Sequence, residues 1–152
     1  MRAAFFLPVL AGPFAILGAP APSTDLTVTN KRQLVKPPPC VRSCEVTVAE
    51  TQARHEKFAD AFIVKRDLTE AFKYIAEDYI NHNPLAQNGS DSAWSILSPI
   101  WGNQSITVLG TRFIYPQGWL NYQSTFGTVV DRFRWEGGCI AEHWDQGEQM
   151  PA

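Results

Sequence analysis

The chain has 152 residues, enough for one small domain with its own core, and 45% of them are hydrophobic. Its formal net charge is −2, with 13 Lys and Arg against 15 Asp and Glu, so it lacks the basic excess of a nucleic-acid binder. The three histidines (His55, His82, His143) are scattered and the three cysteines form no CxxC pair, which excludes the ordinary structural zinc motifs.

In chain order, Arg2 leads an apolar run from Ala3 to Gly18 followed by small residues and prolines, the pattern of a secretory signal peptide over residues 1–21. Pro8, Gly12 and Pro13 interrupt the run, which is too short to span a membrane. A secreted protein, free of the membrane once the leader is removed, is the expectation. Asn88-Gly89-Ser90 and Asn103-Gln104-Ser105 are glycosylation acceptors if the route is eukaryotic. Residues 22–46, rich in Pro, Thr, Lys and Arg, read as an extended linker. Cys40 and Cys44 are close enough in sequence for a local disulfide, with Cys139 as an apolar filler, but an odd count leaves the pairing open.

Folding pattern begins at Thr47, giving a domain over 47–152. Thr47 and Glu50 form a capping box for a helix to about Lys65. Asp67 caps a second helix, with Leu68, Ala71, Phe72 and Ile75 as its apolar stripe and Tyr79 at its end. Pro84 holds Asn83 out of the helical region, so His82 and Asn83 lie in a loop whose side chains can enter a cavity. Ser90–Leu97 forms a third helix, with Trp94, Leu97 and Trp101 at helical spacing. Strands follow: 106–115, 119–125, and a final hairpin closed by Gly137-Gly138. Three helices and a curved antiparallel sheet make an α+β fold.

The hairpin carries the functional signal. In a regular two-residue hairpin Trp135 faces Ile140, Phe133 faces Glu142 and Asp131 faces Trp144. Asp131 and Glu142 then share an apolar, aromatic face with Phe133, Trp135 and Trp144, while Arg132, Arg134, His143 and Asp145 take the other. Only a bulge would reverse the alternation and bring His143 inward. A carboxylate among aromatic rings is expensive to ionise, and such expense concentrates where chemistry is done. Asp131 and His82 are the catalytic candidates. Tyr79, Asn83, Trp101, Glu142 and Trp144 are the substrate-binding candidates, although aromatic residues at such spacing also suit an ordinary core.

The loop Tyr79-Ile80-Asn81-His82-Asn83-Pro84 and the strand ending Glu142-His143-Trp144-Asp145 resemble motifs of the SnoaL-like branch of the nuclear transport factor 2-like superfamily. The resemblance covers about residues 48–150. It implies a cone: a curved sheet wrapped around helices with a pocket at the open end. Characterised relatives include polyketide cyclases, ketosteroid isomerases, dehydratases and epoxide hydrolases, while others only bind ligands or proteins. Asp131 matches the strand aspartate that such cyclases and isomerases use. Asn83 matches the place where ketosteroid isomerases hold an Asp base, and an Asn cannot take a proton. The resemblance implies acid–base chemistry on a small, mostly apolar carbonyl compound without metal or cofactor. It also implies a homodimer paired through the outer face of the sheet, at Arg132, Arg134 and His143. The alternative is a binding or protein-interaction module of the same fold.

Overall fold

The computed structural model describes residues 34–152. The expected leader at 1–21 and the first part of the expected linker, 22–33, lie outside the described residues. Helix α1, Val48–Ala59, starts at the expected capping box: Thr47 Oγ1 accepts from the Glu50 amide, and the Glu50 carboxylate accepts from the Thr47 amide. A π-helical turn, Asp60–Lys65, continues it and ends at Arg66, whose φ of 55° is left-handed.

Helix α2, Leu68–Ala71, is capped by Asp67 as expected but lasts only one turn. After a 3₁₀ turn at Phe72–Tyr74 the chain becomes strand β1, Ile75–Asn81. Leu68, Ala71, Phe72 and Ile75 are all buried, so the apolar stripe is real. The second half of the presumed helix carries Ile75, Tyr79 and Ile80, residues that fit a pleated strand. Sheet pairing overrides the helical period there, and Tyr79 sits in a strand rather than ending a helix.

Helix α3, Ser90–Leu97, precedes strands β2 (Thr107–Ile114), β3 (Gln117–Ser124), β4 (Gly127–Glu136) and β5 (Cys139–Trp144). The sheet order is β1-β5-β4-β3-β2; β1 pairs in parallel with β5 and the other pairs are antiparallel. The curved sheet packs its inner face on the helices through Phe58, Phe62, Leu120, Phe133 and Trp135, with Phe58 edge-on to Phe133 at 4.9 Å.

Over its described part, the supposed linker is built into the domain. Cys40 is disulfide-bonded to Cys139, leaving Cys44 exposed and free, which settles the pairing that the odd count leaves open in favour of the long-range bond over the local one. Cys40 N–H also donates to the Ile75 carbonyl at 2.8 Å, and Ser43 N–H to that of Gly137 at 3.0 Å. Arg42 meets Asp78 at 2.7 Å. Prolines removed the apolar periodicity that would have marked these residues as structural, but an extended segment can add itself to a sheet edge without it.

Candidate functional site

The final hairpin begins in the expected register, with Glu136 opposite Cys139 and Trp135 opposite Ile140. The register then shifts between Arg134 and Trp135, so that Arg134 faces Glu142, Phe133 faces His143 and Arg132 faces Trp144. Ala141 is the extra residue of a bulge. One added residue turns every later side chain of β5 over: His143 and then Asp145 point inward, while Glu142 and Trp144 point outward.

This corrects three candidates. His82, Glu142 and Trp144 lie together on the outer face and do not reach the cavity. His82 Nε2 lies 2.8 Å from Glu142 Oε2, and its ring stacks on Trp144 at 4.3 Å. Arg134 Nε donates to Glu142 at 2.6 Å, and the Arg132 guanidinium lies 3.9 Å over Trp144. The hydrogen bond from His82, reinforced by Arg134, holds the Glu142 carboxyl below its ordinary range. These contacts form an ionic and stacking cluster at the surface. The expectation that His143 belongs to this face is overturned by the same bulge.

The inner face lines a cavity of about 430 Å³ between the sheet, α1, α3 and the loop after β1. Most of its wall is apolar: Phe58, Phe62, Phe72, Trp101, Val129 and Phe133. Trp101 forms part of this wall as expected. Its indole N–H donates to the Phe62 carbonyl at 2.7 Å and its ring stacks on Phe62 at 4.2 Å. Leu85 and Phe126, 86% and 69% exposed, line the mouth.

Polar groups gather at one place in this wall. Asp131 is 4% exposed, with Oδ2 accepting from the Tyr122 hydroxyl at 2.8 Å and Oδ1 2.9 Å from His143 Nε2. His143 Nδ1 lies 3.2 Å from Asn81 Oδ1, and that oxygen also accepts from the Asn83 amide at 3.0 Å. Asn83 Nδ2 donates to Asp145 Oδ2 at 2.5 Å, and Asp145 Oδ1 is buried without a hydrogen-bond partner among the described residues. Asn83 thus reaches the site as a support for Asp145.

The proton inventory follows from these partners. Asn81 Oδ1 is identified as the acceptor atom because a backbone N–H points at it, so Nδ1 of His143 must carry a proton. Nε2 then faces a carboxyl oxygen, and a hydrogen bond between them needs a second proton. The site is either imidazolium beside carboxylate or neutral imidazole beside carboxylic acid, with one transferable proton in both cases. Burial, aided by the negative charge of Asp131, pushes the phenols of Tyr79 and Tyr122 well up, so both remain donors at neutral pH. The Tyr79 hydroxyl has no side-chain partner among the described residues and lines the cavity.

The sequence reading assigned Asp131, Tyr79, Asn83 and Trp101 to a cavity wall, and the structure brings them together. Tyr122 and Asn81 are not among the expected site residues, and His143 and Asp145, expected on the outer face, lie on the inner one. Tyr122 was accessible to the same alternation that placed Asp131, since Leu120 pairs with Asp131 and Tyr122 follows two residues later. His143 and Asp145 were not, because nothing in Ile140-Ala141-Glu142 marks a bulge.

No family model matches the chain, and comparison with curated proteins finds no match. Solved structures do. A nuclear transport factor 2-like protein of unknown function from Mesorhizobium loti is 17% identical with a TM-score of 0.54, over 64% of this chain and 89% of that one. A protein from Kribbella flavida, provisionally named a ketosteroid isomerase, is 18% identical with a TM-score of 0.51, over 68% and 84%. A SnoaL-like protein of unknown function from Burkholderia thailandensis is 12% identical with a TM-score of 0.50, over 66% and 96%. These likenesses show the fold: SnoaL-like, of the nuclear transport factor 2-like kind.

Proposed function

We propose that this SnoaL-like cone catalyses proton transfer at the carbon next to a carbonyl in a small, mainly apolar compound. The observation that carries the reading is the 2.9 Å contact of Asp131 Oδ1 with His143 Nε2, which can hold one transferable proton, beside an oxygen of Asp145 with no partner among the described residues, in the wall of an apolar cavity. Asp145 Oδ1 takes the α-proton, and the electron pair of that C–H bond becomes the C=C bond of an enol. The carbonyl oxygen takes the proton held by the Asp131–His143 pair, while the Tyr79 hydroxyl hydrogen-bonds the same oxygen. Reversal at another carbon is an isomerisation, and attack of the enol carbon on a second carbonyl is an aldol closure. Asp131 keeps the catalytic place it had in the sequence reading; the partner is His143 instead of His82. The proposal includes secretion and pairing of two copies through the outer face of the sheet, there at Arg132 and Arg134 but without His143.

The test needs no prior substrate. Small cyclic and aryl ketones are incubated with the protein in deuterium oxide, and loss of the α-proton signal is followed by NMR. Ketones that bind should exchange, and Asp145→Asn should slow the exchange by about 10²- to 10⁴-fold, the usual worth of a positioned base. Binding without exchange above the rate of the buffer would overturn the catalytic reading and leave a ligand-binding module.

A further inference from the structure

We infer that Asp131, His143 and Asp145 form a binding site for a divalent transition-metal ion with zinc-like preferences. A bound ion would take the place of the transferable proton and occupy Asp145 Oδ1, so the inference concerns a metal-loaded state and does not rest on the proton-transfer reading. One donor atom from each side chain lies within 4.8 Å of the other two, the only such group of three His, Cys, Asp or Glu residues among those described. One imidazole and two carboxylates are a donor set that suits zinc, and a weaker one for magnesium, which favours oxygen ligands and keeps its water.

The surroundings support this better than proximity does. Each side chain has its far atom tied down: Tyr122 holds Asp131 Oδ2, Asn81 holds His143 Nδ1 and Asn83 holds Asp145 Oδ2. Such outer partners fix the tautomer and orientation of metal ligands. Because Nδ1 is the protonated nitrogen, the lone pair of Nε2 is directed at Asp131 Oδ1, 2.9 Å away. Two lone pairs facing each other at that distance require a cation between or beside them, a proton or a metal ion. The proton serves Asp131 and His143 but leaves Asp145 Oδ1, buried and unpartnered, unsatisfied. A metal ion serves all three. Zinc takes nitrogen and oxygen ligands at about 2.0–2.2 Å, which needs movements of about 1 Å to draw the triad together. The cavity beside the triad leaves room for water or a ligand oxygen on the remaining positions.

The test is calorimetric titration of the full chain with zinc, manganese and magnesium chlorides. A Cys44→Ser background removes the exposed thiol, which zinc would also take. Zinc should bind with one equivalent per chain, more tightly than manganese, and magnesium should give no heat. Asp145→Asn should lose the site. Asn81→Ala, which removes only the support of His143, should weaken zinc by about 10- to 100-fold. A melting curve of each variant shows that it is folded, and either variant alone suffices for the comparison. Equal zinc binding by wild type and the folded variants would overturn the inference, as would wild-type protein that takes up no zinc.

Discussion

A single inserted residue decides the chemistry of this protein. Asp131 was legible because β4 alternates without interruption and its inward positions are Val129, Asp131, Phe133 and Trp135. Beyond Ala141 the alternation inverts, and a reading by parity exchanges Glu142 and Trp144 for His143 and Asp145. Parity arguments fail completely rather than gradually, because the side-chain period of a strand is two. A histidine buried in the core has a separate consequence. His55 is 2% exposed against Phe113 and Trp135, and burial, offset in part by Glu56 and the Arg112 carbonyl, pulls its pKa down to about 4. The folded state therefore holds the neutral ring, whereas the unfolded chain protonates near 6.5. Stability from this residue is complete above about pH 6.5 and is lost as pH falls toward 4, by roughly 3 kcal/mol in all. Urea midpoints at pH 7 and pH 4.5 should differ more for the wild type than for His55→Leu. Equal differences would contradict the assignment.

At the scale of elements, α1 was readable from its capping box and α3 from its helical spacing, and β2 to β5 from alternation and turns. What was not readable depends on partners distant in sequence. β1 exists because Ile75 and the residues after it pair with β5, more than sixty positions away. The segment ahead of α1 is fixed the same way, with Cys40 bonded across a separation of 99 residues to Cys139. Spacing alone cannot choose between that bond and a local one. Cross-linking a loop of about 100 residues removes unfolded-state entropy worth roughly 4–5 kcal/mol. Cys40→Ser should accordingly lower the unfolding free energy by about 2–5 kcal/mol in urea titrations. A midpoint unchanged from the wild type would mean that the segment adds nothing to the domain.

Over the whole molecule, the cone gathers one proton system from four strands and a loop. β3 supplies Tyr122, β4 Asp131, β5 His143, β1 Asn81, and the loop after β1 Asn83, which in turn orients Asp145. Helices close the other side with aromatic side chains, so the pair of acid and imidazole meets an apolar space and not bulk water. In such surroundings the position of one proton is worth far more than at a surface. The proposed proton transfer rests on that proton and on the inward turn of His143. A long-range proton–nitrogen correlation spectrum of the full chain at neutral pH, with ¹⁵N in the histidine rings, reads both directly. His143 should show a protonated Nδ1, either as the imidazolium or as the Nδ1–H tautomer, with its Nε2 signal displaced in Asp131→Asn. A neutral ring protonated at Nε2, unmoved by that substitution, would contradict the account.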